Sequence, residues 1–143
     1  MDLNDKAKER NFFSATSKKS IQEFIESVKE NALRFHFGVR QVFDMKEMHK
    51  NQGVDVDDDF QMYQVIVCNF GRSYKSIRKN VERAAVLLQP KQIIVFVKEG
   101  MTRINYLPFT KEFIAQALPG DDEFHGGLFE SCQRIIELIE ASK

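Results

Sequence analysis

The segment that most limits what this chain can fold into covers residues 60–71 and reads FQMYQVIVCNFG. It is the longest strand-like run of the sequence and is rich in the β-branched and aromatic residues that strands favour. Alternation places Ile66 and Cys68 on one face and Val65 and Val67 on the other. Because the second half is apolar on both faces, we expect a central strand covered on both sides, by a layer of helices and by a partner subunit.

The end of this strand carries the candidate site. Cys68 and Asn69 precede a turn and a basic helix, and Gly71, Arg72 and Ser73 follow. Backbone N–H groups at a helix N-terminus hold carboxylate or phosphate groups, here with Arg72 assisting, and the same position activates a thiol. The plainer interpretation is a tight turn in which Asn69 or Ser73 caps the helix, with Cys68 as a small buried hydrophobe. We therefore predict a ligand-binding junction at Cys68, Asn69, Gly71, Arg72 and Ser73, with Cys68 as the one catalytic candidate.

Composition narrows the class of protein. The 143 residues suffice for one domain with a hydrophobic core, and residues 1–10 have the polarity of a flexible leader. Lys plus Arg and Asp plus Glu number 21 each, so the net charge is zero, which argues against nucleic-acid binding and permits self-association. No apolar run approaches the ~20 residues of a membrane span, and the N-terminus lacks a signal region. Because Cys68 and Cys132 form no CxxC pair, we expect two free thiols in the cytoplasm.

The order of predicted elements is β-α-β-α-β-α-β-β-α-α. The first helix begins at Ser20, whose spacing to Glu23 matches a capping box. A later hairpin turns at Glu99 and Gly100, since glycine tolerates the positive φ of such a turn. A tight hairpin joins antiparallel strands. We therefore predict a two-layer α+β fold, with a largely antiparallel sheet and helices packed on one face.

A second helix is predicted over residues 72–85, and its periodicity assigns two sides. The inner side carries four apolar residues: Tyr74, Ile77, Val81 and Ala84. The outer side carries five cations: Arg72, Lys75, Arg78, Lys79 and Arg83. Because a run of charges on a helix is ordinarily a solvated face, we expect these cations in solvent, offset by acidic loops of a partner subunit.

Local signals predict further details around the second strand. Gly38 is expected to end the first helix in the left-handed conformation. Val39, Gln41 and Phe43 are expected to share one face of the strand that follows. Met48 is expected to point inward from the next short helix.

The C-terminal part of the chain is predicted to contain an acidic loop over residues 121–127. The last helix is then expected over residues 128–141, because the two glycines before it disfavour a helix. Glu130 and Arg134 have the spacing of a favourable ion pair on its outer side.

Metal sites are not predicted. Asp55, Asp57 and Asp59 alternate like the first ligands of a calcium loop, but Phe60 stands where the loop needs glycine and Ile66 where it needs glutamate. The three histidines share no ligand spacing with one another or with the cysteines. We therefore expect no metal and no cofactor.

A family resemblance rests on a few marker residues within this pattern. The strand ending in Cys68 and Asn69, a helix, the sequence LLQP at residues 87–90 and the strand that follows resemble the bacterial family called domain of unknown function 302. The resemblance covers nearly the whole chain. It implies a compact α+β domain related to a single repeat of the TATA-binding-protein-like fold, a homodimer, and no established activity. Phe70 stands where the family usually has a proline, and Lys91 stands where it often has a cysteine. A thiol pair that includes position 91 is therefore not available here.

Three functional hypotheses follow. The leading one is a small cytoplasmic homodimeric domain that binds a small ligand, such as an anion, between sheet and helices without catalysis. The second is a thiol-dependent enzyme that uses Cys68, with Asn69 or Arg72 orienting the substrate. The third is a protein–protein interaction module whose basic helix meets an acidic partner. The absence of a catalytic motif leans against an enzyme.

Overall fold

The computed structural model describes residues 12–143, so the leader predicted at residues 1–10 lies outside the described residues. The strands are β1 (Phe13–Ser17), β2 (Gly38–Asp44), β3 (Met62–Cys68), β4 (Lys91–Lys98) and β5 (Met101–Tyr106). The helices are α1 (Ile21–Asn31), α2 (Met45–Asn51), α3 (Phe70–Lys79), α4 (Ala84–Leu87), α5 (Lys111–Ala117) and α6 (Asp122–Ser142). Two short 3₁₀ turns, Ala32–Phe35 and Val81–Arg83, follow α1 and precede α4. The α+β prediction is confirmed.

The strands form one sheet in the order β1-β5-β4-β3-β2, and every neighbouring pair is antiparallel. The hairpin between β4 and β5 turns at Glu99 and Gly100, which have φ values of 55° and 73°, as predicted. Val65 of β3 pairs with Ile93 of β4, and both are fully buried. Helices α1 and α6 cover this face and close the main core.

Helix α1 begins with the predicted capping box, in which the Ser20 hydroxyl accepts from the Glu23 N–H and the Glu23 carboxylate accepts from the Ser20 N–H. Phe24 and Val28 are fully buried on its inner side. The predicted end at Gly38 is wrong. The chain tightens into the 3₁₀ turn and His36 takes the left-handed position with φ of 66°, so Gly38 already belongs to β2.

The predicted sidedness of β2 is also wrong, because a bulge interrupts the strand at Arg40. Val39 pairs with Val67, and the register then shifts so that Val42 pairs with Val65. The extra residue turns Val39 and Val42 to the same face, whereas simple alternation had separated them. In α2, Met48 is exposed, contrary to the inward orientation expected.

The acidic loop predicted at residues 121–127 is helical. Helix α6 begins at Asp122, and the side chain of Asp121 caps it by accepting from the Phe124 N–H at 3.3 Å. Phe124 is buried with Val86 and Ile114 in a second apolar cluster under α5. The burial of Phe124 and this cap outweigh the weak helix propensity of the two glycines that follow.

Strand β3 is paired on both edges, and helices of the described part of the chain cover one of its faces, whereas the partner subunit expected on the other face stays a prediction. Ile66, Ile94 and Phe96 alternate with core residues and point to the face opposite the main core. All three are half-buried and join neither apolar cluster. None of the helices within residues 12–143 is both long and apolar enough to cross a membrane.

Candidate functional site

The junction between β3 and α3 is built around Asn69. Its Oδ1 accepts from the Arg72 N–H at 3.0 Å and caps α3, so of the two predicted caps Asn69 is the one used. Its Nδ2 donates to the carbonyl of His36 at 2.6 Å, which ties α3 to the end of the first helical segment. Gly71, Arg72 and Ser73 therefore lie in the first turn of α3, next to its positive dipole end.

Helix α3 differs from the helix predicted over residues 72–85 in length and in orientation. It ends at Lys79 because Asn80 is extended, with φ of −152° and ψ of 106°. The predicted inward residues Tyr74 and Val81 are 66% and 71% exposed. The predicted outward residue Arg83 is only 5% exposed. Within α3 no residue is fully buried, and its inner side consists of half-buried residues that include Ser73 and Ser76.

The break at Asn80 lets Arg83 turn into the protein and pair with Asp121. Arg83 Nε and Nη2 each donate to one oxygen of the carboxylate at 2.7 Å, a two-bond geometry that favours Arg over Lys. Asn80 Nδ2 donates to the same carboxylate at 3.1 Å. The hydrogen bonds from Arg83 hold the pKa of Asp121 well below its usual range, and those to Asp121 raise the pKa of Arg83. Arg83 also donates to the Ser76 hydroxyl and so anchors the end of α3.

A cleft of about 290 Å³ lies between α3 and α6. Apolar residues form part of its wall: Phe37, Leu87, Phe124 and Leu128. Six cations also line it: Arg72, Lys75, Lys79, Arg83, Lys91 and Arg134. A wall with one glutamate, Glu123, and six cations gives the cleft a strongly positive potential in a protein of zero net charge.

Only two of these six cations are neutralised by an acid. Arg83 is paired with Asp121, and Lys79 contacts Glu123 at 2.6 Å. No ion pair between residues 12–143 includes the other four: Arg72, Lys75, Lys91 and Arg134. Four cations without acidic partners therefore share one small cleft.

Arg134 is the most constrained of these cations. Its guanidinium lies 5.8 Å from the centre of the Phe37 ring, and Nη2 donates to the Ser131 hydroxyl at 2.9 Å. The predicted pair with Glu130 is not formed. Nε of Arg134 is shielded from solvent and has no hydrogen-bond partner in the described part of the chain. Burial, and then the positive charge of Arg72, lower the pKa of Arg134, while the carboxylates of Glu130 and Glu137 act in the opposite direction.

The predicted site residues are brought together only in part. Asn69, Arg72 and Ser73 line the cleft, whereas Cys68 and Gly71 are not among its lining residues. Cys68 is a half-buried free thiol that pairs with Gly38, and alternation turns it to the sheet face opposite the main core. Cys68 is therefore not part of the cleft wall, although its ionised thiol would raise the pKa of Lys91, which is part of that wall.

Sequence reasoning missed Lys91 and Arg134. The sequence marks Lys91 only as a departure from a family pattern, and it places Arg134 on the outer side of the last helix. A usable signal is the placement of two small residues, Gly127 and Ser131, seven and three positions before Arg134, which leaves room beside one side of α6. Among residues 12–143, no group of three His, Cys, Asp or Glu side chains could hold a metal ion.

Comparisons with known proteins agree on one family. The sequence profile of the family described as "Domain of unknown function DUF302" matches residues 13–139. A solved structure of an uncharacterized conserved DUF302 protein from Bacillus stearothermophilus superposes with a TM-score of 0.75 at 18% identity. The match covers 93% of this chain and 98% of that one, so the likeness extends over the whole fold. No curated protein matches this chain.

Proposed function

This chain belongs to the DUF302 family, and from the geometry of its own cleft we propose that it binds a small anionic ligand between α3 and α6. The observation that carries the proposal is the set of four cations without acidic partners: Arg72, Lys75, Lys91 and Arg134. Holding like charges together costs free energy, and a bound anion removes that cost. The first turn of α3 adds backbone N–H groups and a positive dipole end on the same side.

The ligand class follows from the size and walls of the cleft. About 290 Å³ is near the lower end of the range for small-molecule sites, which fits a metabolite-sized compound. Arg72 and Arg134 are guanidiniums, which hold carboxylate and phosphate oxygens through paired N–H groups. The ring of Phe37 and the side chain of Leu128 offer apolar contact to the rest of the molecule. A small organic compound that carries a carboxylate or phosphate group fits both the cationic and the apolar lining residues of the cleft.

The test measures the affinity for inorganic phosphate by calorimetry, with backbone amide NMR to locate the binding. Replacing both guanidiniums, in Arg72→Gln with Arg134→Gln, is expected to weaken binding by at least roughly tenfold. Each charge-assisted hydrogen bond contributes about 1.5–3 kcal/mol. The matched control is Arg78→Gln, which removes an exposed cation of α3 that does not line the cleft. An equal loss in the control, or amide shifts remote from the cleft, would contradict the proposal.

A second proposal concerns self-association through the open face of the sheet. Ile66, Ile94 and Phe96 form an apolar centre on this face. Polar side chains surround them: Gln64, Gln92, Asn105 and, opposite Phe96, Arg103. A second copy of this chain fits such a face, because a twofold interface brings the same patch of both copies together and two chains of zero net charge do not repel each other.

Sedimentation velocity tests this dimer. Wild-type protein is expected to sediment as a dimer and Ile94→Lys as a monomer, with circular dichroism verifying that the variant is folded. Leu33→Lys is the control, since Leu33 is 83% exposed in the 3₁₀ turn after α1. A monomeric wild type, or a dimer unchanged by Ile94→Lys, counts against the proposal.

Free Cys68 and Cys132 accord with a reducing compartment, and we propose that the protein functions in the cytoplasm.

A further inference from the structure

Lys91 occupies a special position beside the anion cleft. It is the first residue of β4 and pairs with Val67, so its side chain leaves the sheet on the same face as the main core. It contributes to the wall of the cationic cleft and also to that of a second cavity of about 360 Å³. The second cavity includes Tyr106 and Cys132 among its lining residues. Lys91 thus forms part of the wall of both cavities.

The surroundings of Lys91 make its uncharged form easier to reach than that of an exposed lysine. Lys91 is half-buried, and none of the ion pairs in the described part of the chain involves it. Burial lowers the pKa of Lys91, while ionised Cys68 or Cys132 would act in the opposite direction. Two further cations, Arg72 and Arg134, line the same cleft. Desolvation is one of the conditions that make a lysine amine nucleophilic.

We propose that the Lys91 amine condenses with an aldehyde or ketone group of the anionic ligand and holds it as an imine. The inference rests on the proposed anion binding, because Arg72 and Arg134 hold the acid group while Lys91 faces the carbonyl carbon. The ligand class is therefore a small carbonyl compound that carries a carboxylate or phosphate. The second cavity offers mainly apolar wall for the substituent on the other side of the carbonyl.

The condensation balances without any further reagent. The lone pair of the uncharged amine forms a bond to the carbonyl carbon, and the π electrons move to the oxygen, which takes one proton from the nitrogen. The carbinolamine then loses its hydroxyl together with the second proton of the nitrogen as water, and the nitrogen forms the double bond to carbon. One water is released, no oxidation or reduction occurs, and hydrolysis reverses the reaction.

Trapping tests the proposal directly. The folded protein is incubated with pyridoxal 5′-phosphate, which carries an aldehyde and a phosphate, and sodium borohydride then reduces any imine to a stable secondary amine. Peptide mass spectrometry is expected to find the adduct at Lys91 at least roughly tenfold more often than at exposed Lys98, as expected of a nucleophilic amine held next to a bound anion. Pyridoxal without phosphate, and Arg72→Gln with Arg134→Gln, are both expected to reduce trapping at Lys91 by a similar factor.

The controls separate this inference from anion binding itself. Lys91→Arg keeps the positive charge but cannot form the imine, so it should abolish the adduct at this position while inorganic phosphate still binds. If phosphate binds in the cleft but Lys91 is labelled no faster than Lys98, the imine is refuted and anion binding stands. If phosphate does not bind to the cleft at all, both proposals fail. Labelling of Lys91 that is unaffected by loss of the two guanidiniums would also overturn the assignment.

Discussion

Helices α1 and α3 both carry amphipathic patterns, but they lie against the protein in different ways. In α1 the apolar stripe is the buried side, and Phe24 and Val28 are fully buried against the sheet. In α3 no residue is fully buried, and Phe70 and Tyr74 are 62% and 66% exposed. Hydrophobic burial therefore positions α1, whereas α3 is positioned by polar contacts at its own two ends.

The polar contacts of α3 explain why its pattern is a poor guide to its orientation. At the N-terminus Asn69 is bonded to the carbonyl of His36, and beyond the C-terminus Arg83 is bonded to Asp121. These two anchors set the rotation of the helix and bring Arg72 to the cleft. A helix held in this way need not bury its own apolar side, and its position can serve a binding site.

The largest expected effect contrasts one aromatic residue in each helix. Phe24→Ala should lower the free energy of unfolding by about 3–5 kcal/mol, because it leaves a cavity in the main core. Tyr74→Ala should change it by less than about 0.5 kcal/mol, because the ring is largely in solvent. Urea denaturation of both variants measures the difference. Comparable losses would mean that α3 buries its apolar side in solution.

The next effect concerns the C-terminal anchor. Arg83→Met should lower Tm clearly more than Lys79→Met, since Arg83 is buried whereas Lys79 and Glu123 are exposed. Because the pKa of Asp121 is lowered by folding, its contribution is full above the unfolded carboxyl pKa of about 4 and is lost as the pH falls towards the folded value. The Tm gap between wild type and Asp121→Asn should therefore narrow from about pH 7 to about pH 3. A gap that is constant over this range would show that the charge of Asp121 does not hold the anchor.

The smallest effect compares the caps of the two helices. Ser20→Ala in α1 and Asn69→Ala in α3 should each lower the free energy of unfolding by about 1 kcal/mol, as expected for loss of a capping side chain. Only Asn69→Ala should also weaken phosphate binding, because Asn69 lines the cleft and Ser20 does not. Calorimetric titration of the two variants is the measurement. Equal phosphate affinities would mean that the orientation of α3 does not control the site.

Sequence reasoning succeeded where the signal is local. The capping box at Ser20 and the turn at Glu99 and Gly100 involve residues a few positions apart, and both are present. It was wrong at residues 121–127, where Gly126 and Gly127 indicate a loop but the helix begins at Asp122. The reason is that Asp121 caps this helix and pairs with Arg83, which is 38 positions away in the chain.

The residues of the candidate site also divide into those that the sequence predicts and those that it does not. From the sequence, Asn69, Arg72 and Ser73 could be predicted as an anion-binding junction, and all three line the cleft. Lys91 and Arg134 could not be added, because β4 and α6 bring them to the junction from distant parts of the chain.

The sequence by itself determined the α+β class, the positions of most strands and helices, and the family, because these depend on periodicity, caps and turns within short segments. Only the tertiary structure decided which side of α3 faces the protein and which cations share a cleft. These features depend on contacts such as Arg83 with Asp121 and Asn69 with His36, whose partners are far apart in the chain. Local sequence patterns indicate which structure and orientation each segment prefers. Long-range polar contacts decide which of these preferences the folded protein keeps.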